Sequence, residues 1–271
     1  MHREQQPGVG FFAIGLIGLG IVALVYGDFA MVWQPVPLSM PGRTALAYAC
    51  GVLMLALGGG LVVRAATKWV VRVLLVYLIL WALLKVPAIF VAPTVEGVYL
   101  GLGELTVLLA GGWMLFARLG EISADSWLGW ASGDRGVRLA KYLFAVSLLP
   151  IGLSHLFYVQ ATVDLVPAWL PSRTFWAYLT GLGQMACGLG VLFSVLPGIA
   201  AWVETAMLML FTLLVWAPRI AHAPHERVNW TAFFISWIIM AGASAVAQNI
   251  PVGVTVTSKQ PARAAAQAKT S

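Results

Sequence analysis

Few side chains in this sequence could do acid–base, ligand or redox chemistry, and most of them stand inside or at the rim of long apolar runs. His155 lies one turn before the end of such a run. An imidazole there can relay a proton or hydrogen-bond a quinone carbonyl. It can equally be a packing histidine bonded to a neighbouring helix. Arg43 and Arg173 each open an apolar run that follows a proline-rich loop. A helix N-terminus is partially positive, so an arginine there is misplaced by about 0.3–1 kcal/mol. Something must offset that twice: a headgroup phosphate reached by snorkelling, or an anionic or carbonyl-bearing ligand. Tyr48 and Tyr178 follow five residues later, which turns them about 140° from the arginine face. That geometry weakens a shared Arg–Tyr site within one copy and leaves a site between the two copies open.

Four charged residues fall within apolar runs. Glu104 is the deepest, and Lys85 is its candidate partner. A charge at mid-membrane costs about 2.5–3.5 kcal/mol or more, so it must be paired or neutralised. Glu204 and Arg72 sit near the opposite ends of their runs from the proline loops, and a structural pair between them is expected. His222, His225 and Glu226 supply too few ligands for a metal site, so loop solvation is the expectation there. Cys50 and Cys187 lie in apolar runs with no CxxC spacing and read as small buried residues. No nucleophile–base constellation is visible, so an independent enzyme is not expected.

The elements that must position these residues are membrane spans. The chain is 61% hydrophobic and only 10% charged, where a soluble domain carries about a quarter charged residues. Such a chain must face lipid, and the long uninterrupted runs require helices rather than a barrel. The net charge of +6 does not mark a nucleic-acid binder, because the basic residues lie between apolar runs and not in one patch. Eight spans are predicted, over residues 9–26, 43–63, 69–90, 98–117, 139–159, 173–196, 199–216 and 230–248. The first is too long for a signal-peptide core and is expected to remain as an uncleaved span.

The chain repeats itself. Pro37, Pro41, Arg43, Thr44, Ala47, Tyr48 and Gly51 recur 130 residues later as Pro167, Pro171, Arg173, Thr174, Ala177, Tyr178 and Gly181. At an offset of 131, Pro87 matches Pro218, Pro93 matches Pro224 and Gly111 matches Gly242. The predicted organisation is a first four-helix module over 1–118, a linker over 119–138, a second module over 139–250 and a disordered tail over 251–271. Four spans per module place both copies the same way up, so a parallel pseudo-two-fold arrangement of two bundles is expected. Eleven basic residues fall on one side and five on the other, the five being Arg43, Lys85, Arg173, Arg219 and Arg227. The positive-inside rule then makes the first side, with both termini, cytoplasmic.

The second module carries Gly152, His155 and Phe157, then Val166, Pro167, Trp169 and Pro171, then Tyr178 and Gly181. In this it resembles the DoxX-like family of four-helix membrane proteins. The resemblance covers each module, so the chain looks like a tandem pair. It implies a bacterial cytoplasmic membrane, and a redox-accessory role beside a partner enzyme, since some members accompany sulfur oxidation and quinone reduction. The first module departs from the pattern, with Gly27, Asp28 and Phe29 in place of the His–Phe turn. Relatives often have an acid in the second helix, where this chain has Gln184 and, in the first copy, Met54. The resulting expectation is a quinone- or lipid-interacting membrane subunit with candidate ligand residues His155, Arg173, Tyr178, Arg43, Tyr48 and Gln184. A small-molecule permease, or a scaffold without ligand, is the alternative. A quinone site predicts an apolar pocket capped by His155 or Arg173. A permease predicts a polar cavity containing Glu104 and Lys85.

Overall fold

The computed structural model describes residues 7–31 and 33–252. Arg3, Lys259, Arg263, Lys269 and the tail from 253 onward lie outside the described residues. The elements in chain order are α1 (Pro7–Tyr26), α2 (Arg43–Val62), α3 (Thr67–Lys85), α4 (Pro87–Val91), α5 (Glu96–Leu119), α6 (Gly133–Phe157), α7 (Val159–Leu165), α8 (Arg173–Leu192), α9 (Pro197–Phe211), α10 (Ala217–His222) and α11 (Arg227–Ala247). No strand occurs among the described residues. Eight helical segments among them are long and apolar enough to cross a membrane, which is the architecture of an integral membrane protein.

Proline and glycine punctuate these helices. Gly42 and Ser172 adopt left-handed backbone immediately before α2 and α8. Glycine takes that conformation freely, whereas at Ser172 it is strained by roughly 1–3 kcal/mol. Pro87 breaks the third span between α3 and α4. In the seventh span a π-helical stretch, Thr212–Trp216, precedes Pro218, so the helix reaches His222 instead of stopping near Trp216. The predicted linker is shorter than expected: α6 already begins at Gly133, with Asp134 in its favourable first turn. A short 3₁₀ turn at Gly129–Ala131 leads into it.

The spans share one hydrophobic core. α1, α5 and α11 bury about twice the share of their length that α2 and α8 do, so they form the interior and the others face lipid. The packing differs from a pair of self-contained bundles. α1 packs on α2 and on α11, while α5 packs on α3, α6 and α11. The first helix thus closes on the last, and the helix before the linker closes on the one after it.

Small residues make these approaches possible. A Cβ on Gly111 of α5 would stand 2.4 Å from the Cα of Gly242 of α11, so the two helix backbones meet there. Between α1 and α2, a Cβ on Gly20 would be 2.8 Å from the Gly51 carbonyl, and one on Gly58 would be 2.8 Å from the Ala13 carbonyl. Between α6 and α8 the same contacts recur, from Gly152 to the Gly181 carbonyl at 2.5 Å and from Gly188 to the Ala145 carbonyl at 2.7 Å.

Polar bonds gather at the two ends of the spans. At one end Arg118 bonds Asn249 at 3.0 Å and Asp134 at 2.9 Å, and Lys68 pairs with Glu121 at 3.3 Å. At the other end lie both proline-rich loops, with the Tyr26 hydroxyl donating to the His225 carbonyl at 3.2 Å.

Candidate functional site

Arg43 has an internal partner. Gly27, with φ of +62°, turns the chain at the end of α1 and presents Asp28. Arg43 Nη2 lies 2.5 Å from Asp28 Oδ1, and Arg43 Nη1 donates to the Val36 and Pro37 carbonyls. Arg227, in the first turn of α11, reaches the other carboxylate oxygen at 2.9 Å and donates to the Phe29 carbonyl at 2.5 Å. Burial pushes the Asp28 carboxyl up, but the Phe29 N–H and the two guanidiniums outweigh it and hold it below the usual carboxylate range. The expected headgroup or ligand at Arg43 is thus replaced by Asp28, a residue only fifteen positions away. Tyr48 is exposed and its hydroxyl packs near Gly27 instead.

Arg173 is different. It is exposed and makes no ion pair or hydrogen bond among the described residues. Tyr178 is also exposed. His155 sits between α6 and α8, its Nδ1 3.0 Å from Thr180 Oγ1 and 3.4 Å from the Ala177 carbonyl. Thr180 already donates its hydroxyl proton to the Trp176 or Ala177 carbonyl. The imidazole must therefore be the donor, which places a proton on Nδ1. Gly181 makes room for it, since a Cβ there would lie 2.6 Å from His155 Cβ. In the first half Ala23 faces Gly51 in the same way. The equivalent of His155 is thus Ala23, and not the Gly27–Phe29 turn. No hydrogen bond joins His155, Arg173 and Tyr178 to one another among the described residues.

The intramembrane charges sort differently from expectation. Arg72 donates to the Gly120 carbonyl at 2.7 Å and lies over the Trp69 ring, so the Arg72–Glu204 pair is not formed. Glu204 is fully buried and accepts from Gln184 Nε2 at 3.3 Å. The remaining oxygens of both side chains, Glu204 Oε2 and Gln184 Oε1, have no partner. Lys85 and Glu104 are close enough to interact electrostatically. A further polar knot joins Gln34, Cys50 and Tyr77, with Gln34 Nε2 3.0 Å from both Cys50 Sγ and the Tyr77 hydroxyl. No metal-holding group of His, Cys, Asp and Glu occurs among the described residues.

One cavity combines an apolar wall with a polar group. A lipid-facing groove of about 580 Å³ runs between α5, α6 and α8. Its wall is built from Leu149, Pro150, Leu153 and Phe157 of α6, Met185 and Leu189 of α8, and Tyr99 of α5. Thr94 and Glu96 close its outer end. Glu96 is only 7% exposed, and neither carboxylate oxygen has a hydrogen-bond partner. Neither His155 nor Arg173 lines the groove. Sequence reasoning missed Glu96 because it starts the fourth span at residue 98, leaving the acid in a loop. The available signal was an acid three residues after Pro93, at the membrane end that also carries Arg43, Arg173, Arg219 and Arg227.

An eight-span helical protein with a groove open to lipid is therefore the class that fold and site define. The chain is similar, over residues 144–247, to a family described as a domain of unknown function (DUF8561). That stretch runs from within α6 through α11 and includes the α6 and α8 walls of the groove. No curated protein and no solved structure matches the chain.

Proposed function

We propose that this chain is a bacterial inner-membrane protein that holds an amphipathic molecule, lipid or quinone, in the groove between α5, α6 and α8. In this reading it serves a membrane redox partner as an accessory subunit, as the resemblance to DoxX-like proteins suggests. The observation that carries the binding role is an apolar, laterally open groove with a buried carboxylate at its outer end. An apolar slot of this kind takes up a chain or isoprenoid tail from the bilayer. The cap is Glu96 and not the His155 or Arg173 that the sequence suggested.

The two halves are proposed to be copies related by a pseudo-two-fold axis between α5 and α11. Gly111 and Gly242, equivalent in the repeat, meet each other, which is what residues on such an axis do. The groove then belongs to one copy's first two helices and the other copy's fourth. Both termini are assigned to the cytoplasmic side by the basic residues.

The binding role is tested by extracting lipids and quinones from the detergent-purified protein and from its Leu153→Trp variant, which fills the groove. The expected result is a retained amphiphile in the parent and its loss in the variant. Equal content in both proteins would overturn the reading. Arg173→Ala should leave the content unchanged, because Arg173 does not line the groove. A second reading, passage of a small molecule through the protein, draws on the Lys85–Glu104 interaction within the spans. It predicts uptake that is abolished by Glu104→Gln and indifferent to Leu153→Trp.

A further inference from the structure

We propose that Glu204 and Gln184 form a proton-binding site inside the membrane, in which Glu204 holds a proton on Oε2 and shares it with the Gln184 amide oxygen. The site lies between α8 and α9, apart from the groove. Glu204 is fully buried and Gln184 is 4% exposed. Gln184 Nε2 donates to Glu204 Oε1 at 3.3 Å, while Glu204 Oε2 and Gln184 Oε1 are buried without a partner. One unpartnered oxygen thus stands on each side chain of a pair already joined through its other atoms. With an ionised acid the pair has acceptors in excess and lacks a donor. A single proton on Oε2 makes that oxygen the donor, and Gln184 Oε1 is the acceptor left for it. A carboxylic acid and a primary amide pair side by side in this way through two hydrogen bonds.

The surrounding helices offer no countercharge. α9 packs on α8 and α11, and Glu204 is the one titratable residue of α9 itself. α11 carries none after Arg227, which opens that helix at the other end of the span. On α8 they are Arg173, Tyr178 and Cys187. Arg173 and Tyr178 stand about 16 and 9 Å along the axis from Gln184. Cys187 is the group that faces Glu204; its thiol is a weak donor and brings no positive charge. The Thr205 hydroxyl, next in the chain, donates to the Ala201 carbonyl at 2.8 Å. An ionised Glu204 would therefore stand as an unpaired charge inside the membrane, which is costly. One proton removes the charge and supplies the missing donor together.

The same chemistry separates a proton from a metal cation. A hard cation takes about six or more oxygen ligands, whereas this pair has only Glu204 Oε2 and Gln184 Oε1 to spare. Glu204 lies about 10 Å along α9 from Pro197, below the level of the headgroups. The first half has no such site. Met54 and Leu74 stand at the equivalent places, and both are fully buried. Apolar side chains therefore fill these positions in the same fold, so packing alone does not call for an acid and an amide there. The proton site belongs to the second half only.

The test is infrared spectroscopy of the full-length chain in detergent at neutral pH, reading the C=O stretch that a carboxylic acid shows and a carboxylate lacks. Subtracting the spectrum of Glu204→Gln isolates the contribution of Glu204. The parent should show a carboxylic acid band that this variant lacks, unchanged when sodium or potassium chloride replaces an organic-cation salt. Gln184→Met should keep the band and move it to higher frequency, because the acid loses both hydrogen bonds. If Glu204→Gln does not fold, the Gln184→Met, Glu204→Leu double variant serves as the blank. If Gln184→Met does not fold, Gln184→Asn, which draws the amide back by one methylene, reads the shift. Absence of the band from the parent overturns the proposal, since Glu204 is then ionised. Loss of the band on adding sodium or potassium makes the ligand a metal cation, and a band that Gln184→Met leaves unmoved takes the amide out of the site. Either result also overturns it.

Discussion

Replacing Asp28 by asparagine removes one negative charge that two arginines share. Asp28 accepts from Arg43 at 2.5 Å and from Arg227 at 2.9 Å, across the ends of α1, α2 and α11. Breaking a fully buried pair by deleting one partner costs about 3–5 kcal/mol. Here the Asp28 side chain keeps 25% of its exposure and the arginines 17% and 24%, so water recovers part of that loss. Asparagine also retains an acceptor for the Phe29 N–H. The expected cost is therefore about 2 kcal/mol, in line with hydrogen bonds to charged groups. For a chain of this size that lowers the unfolding midpoint by about 4–8 °C. Thermal unfolding in detergent, followed by tryptophan fluorescence and by recovery of monodisperse protein, reads the shift. Arg173→Gln is the matched control and should stay within about 0.5 kcal/mol of the parent.

The acid side supplies a second readout of the same contact. The Asp28 carboxyl is held below its ordinary value of 3.8 in the folded protein. Its contribution is therefore complete above that value and is lost as pH falls through the lower folded one. The difference between parent and Asp28→Asn should be constant from neutral pH down to about 4 and shrink below it. If Asp28→Asn costs no more than Arg173→Gln, or the difference persists undiminished in strong acid, the clasp is not what holds these three helix ends.

The Gln184–Glu204 pair can be dissected with the residues that the first half uses at the same places, Met54 and Leu74. Gln184→Met alone strands a buried acid and should cost about 1–3 kcal/mol, whereas Gln184→Met with Glu204→Leu should be neutral or stabilising in the same melts. Gly111→Ala drives a methyl into the backbone of α11 and should cost about 1–3 kcal/mol, while Gly59→Ala, which meets nothing within 4 Å, should be neutral or slightly stabilising. Orientation is read by reporter fusions: one in the 158–172 loop should report the outer side and one in the 120–132 segment the cytoplasmic side, and the reverse pattern would refute the positive-inside assignment.

Span number and approximate bounds were legible because each run is long enough to cross a bilayer and is broken by proline, glycine or charge. Which span touches which was not legible. Apolar side chains look alike in lipid, and the partner of α1 is decided by local shape: Gly18 leaves space for the Phe234 ring, and Trp237 Nε1 donates to the Phe11 carbonyl at 3.1 Å. Setting Gly27–Phe29 against the His155–Phe157 turn overlooked a two-residue shift between the first helices of the two halves and the second ones. Gly20 and Ala13 correspond to Gly152 and Ala145, whereas Gly51 and Gly58 correspond to Gly181 and Gly188. With the first helices offset by 132, Asp28 corresponds to Gln160 and not to the His155–Phe157 turn. Glu96 was lost to a boundary error of two residues, small for a helix end but enough to move an acid from a membrane groove into a loop.

The closure of α1 on α11 also bears on how the protein is made. α1 leaves the ribosome before α11, the helix that covers it. Until α11 is inserted, Gly8, Gly15 and Gly18 lack the Ala245, Ile238 and Phe234 that fill their notches. A chain that stops short of α11 therefore lacks the side chains that fill these three notches. Two pieces divided within 120–132 would each carry what the other lacks, so co-synthesised halves have a ready means of finding one another.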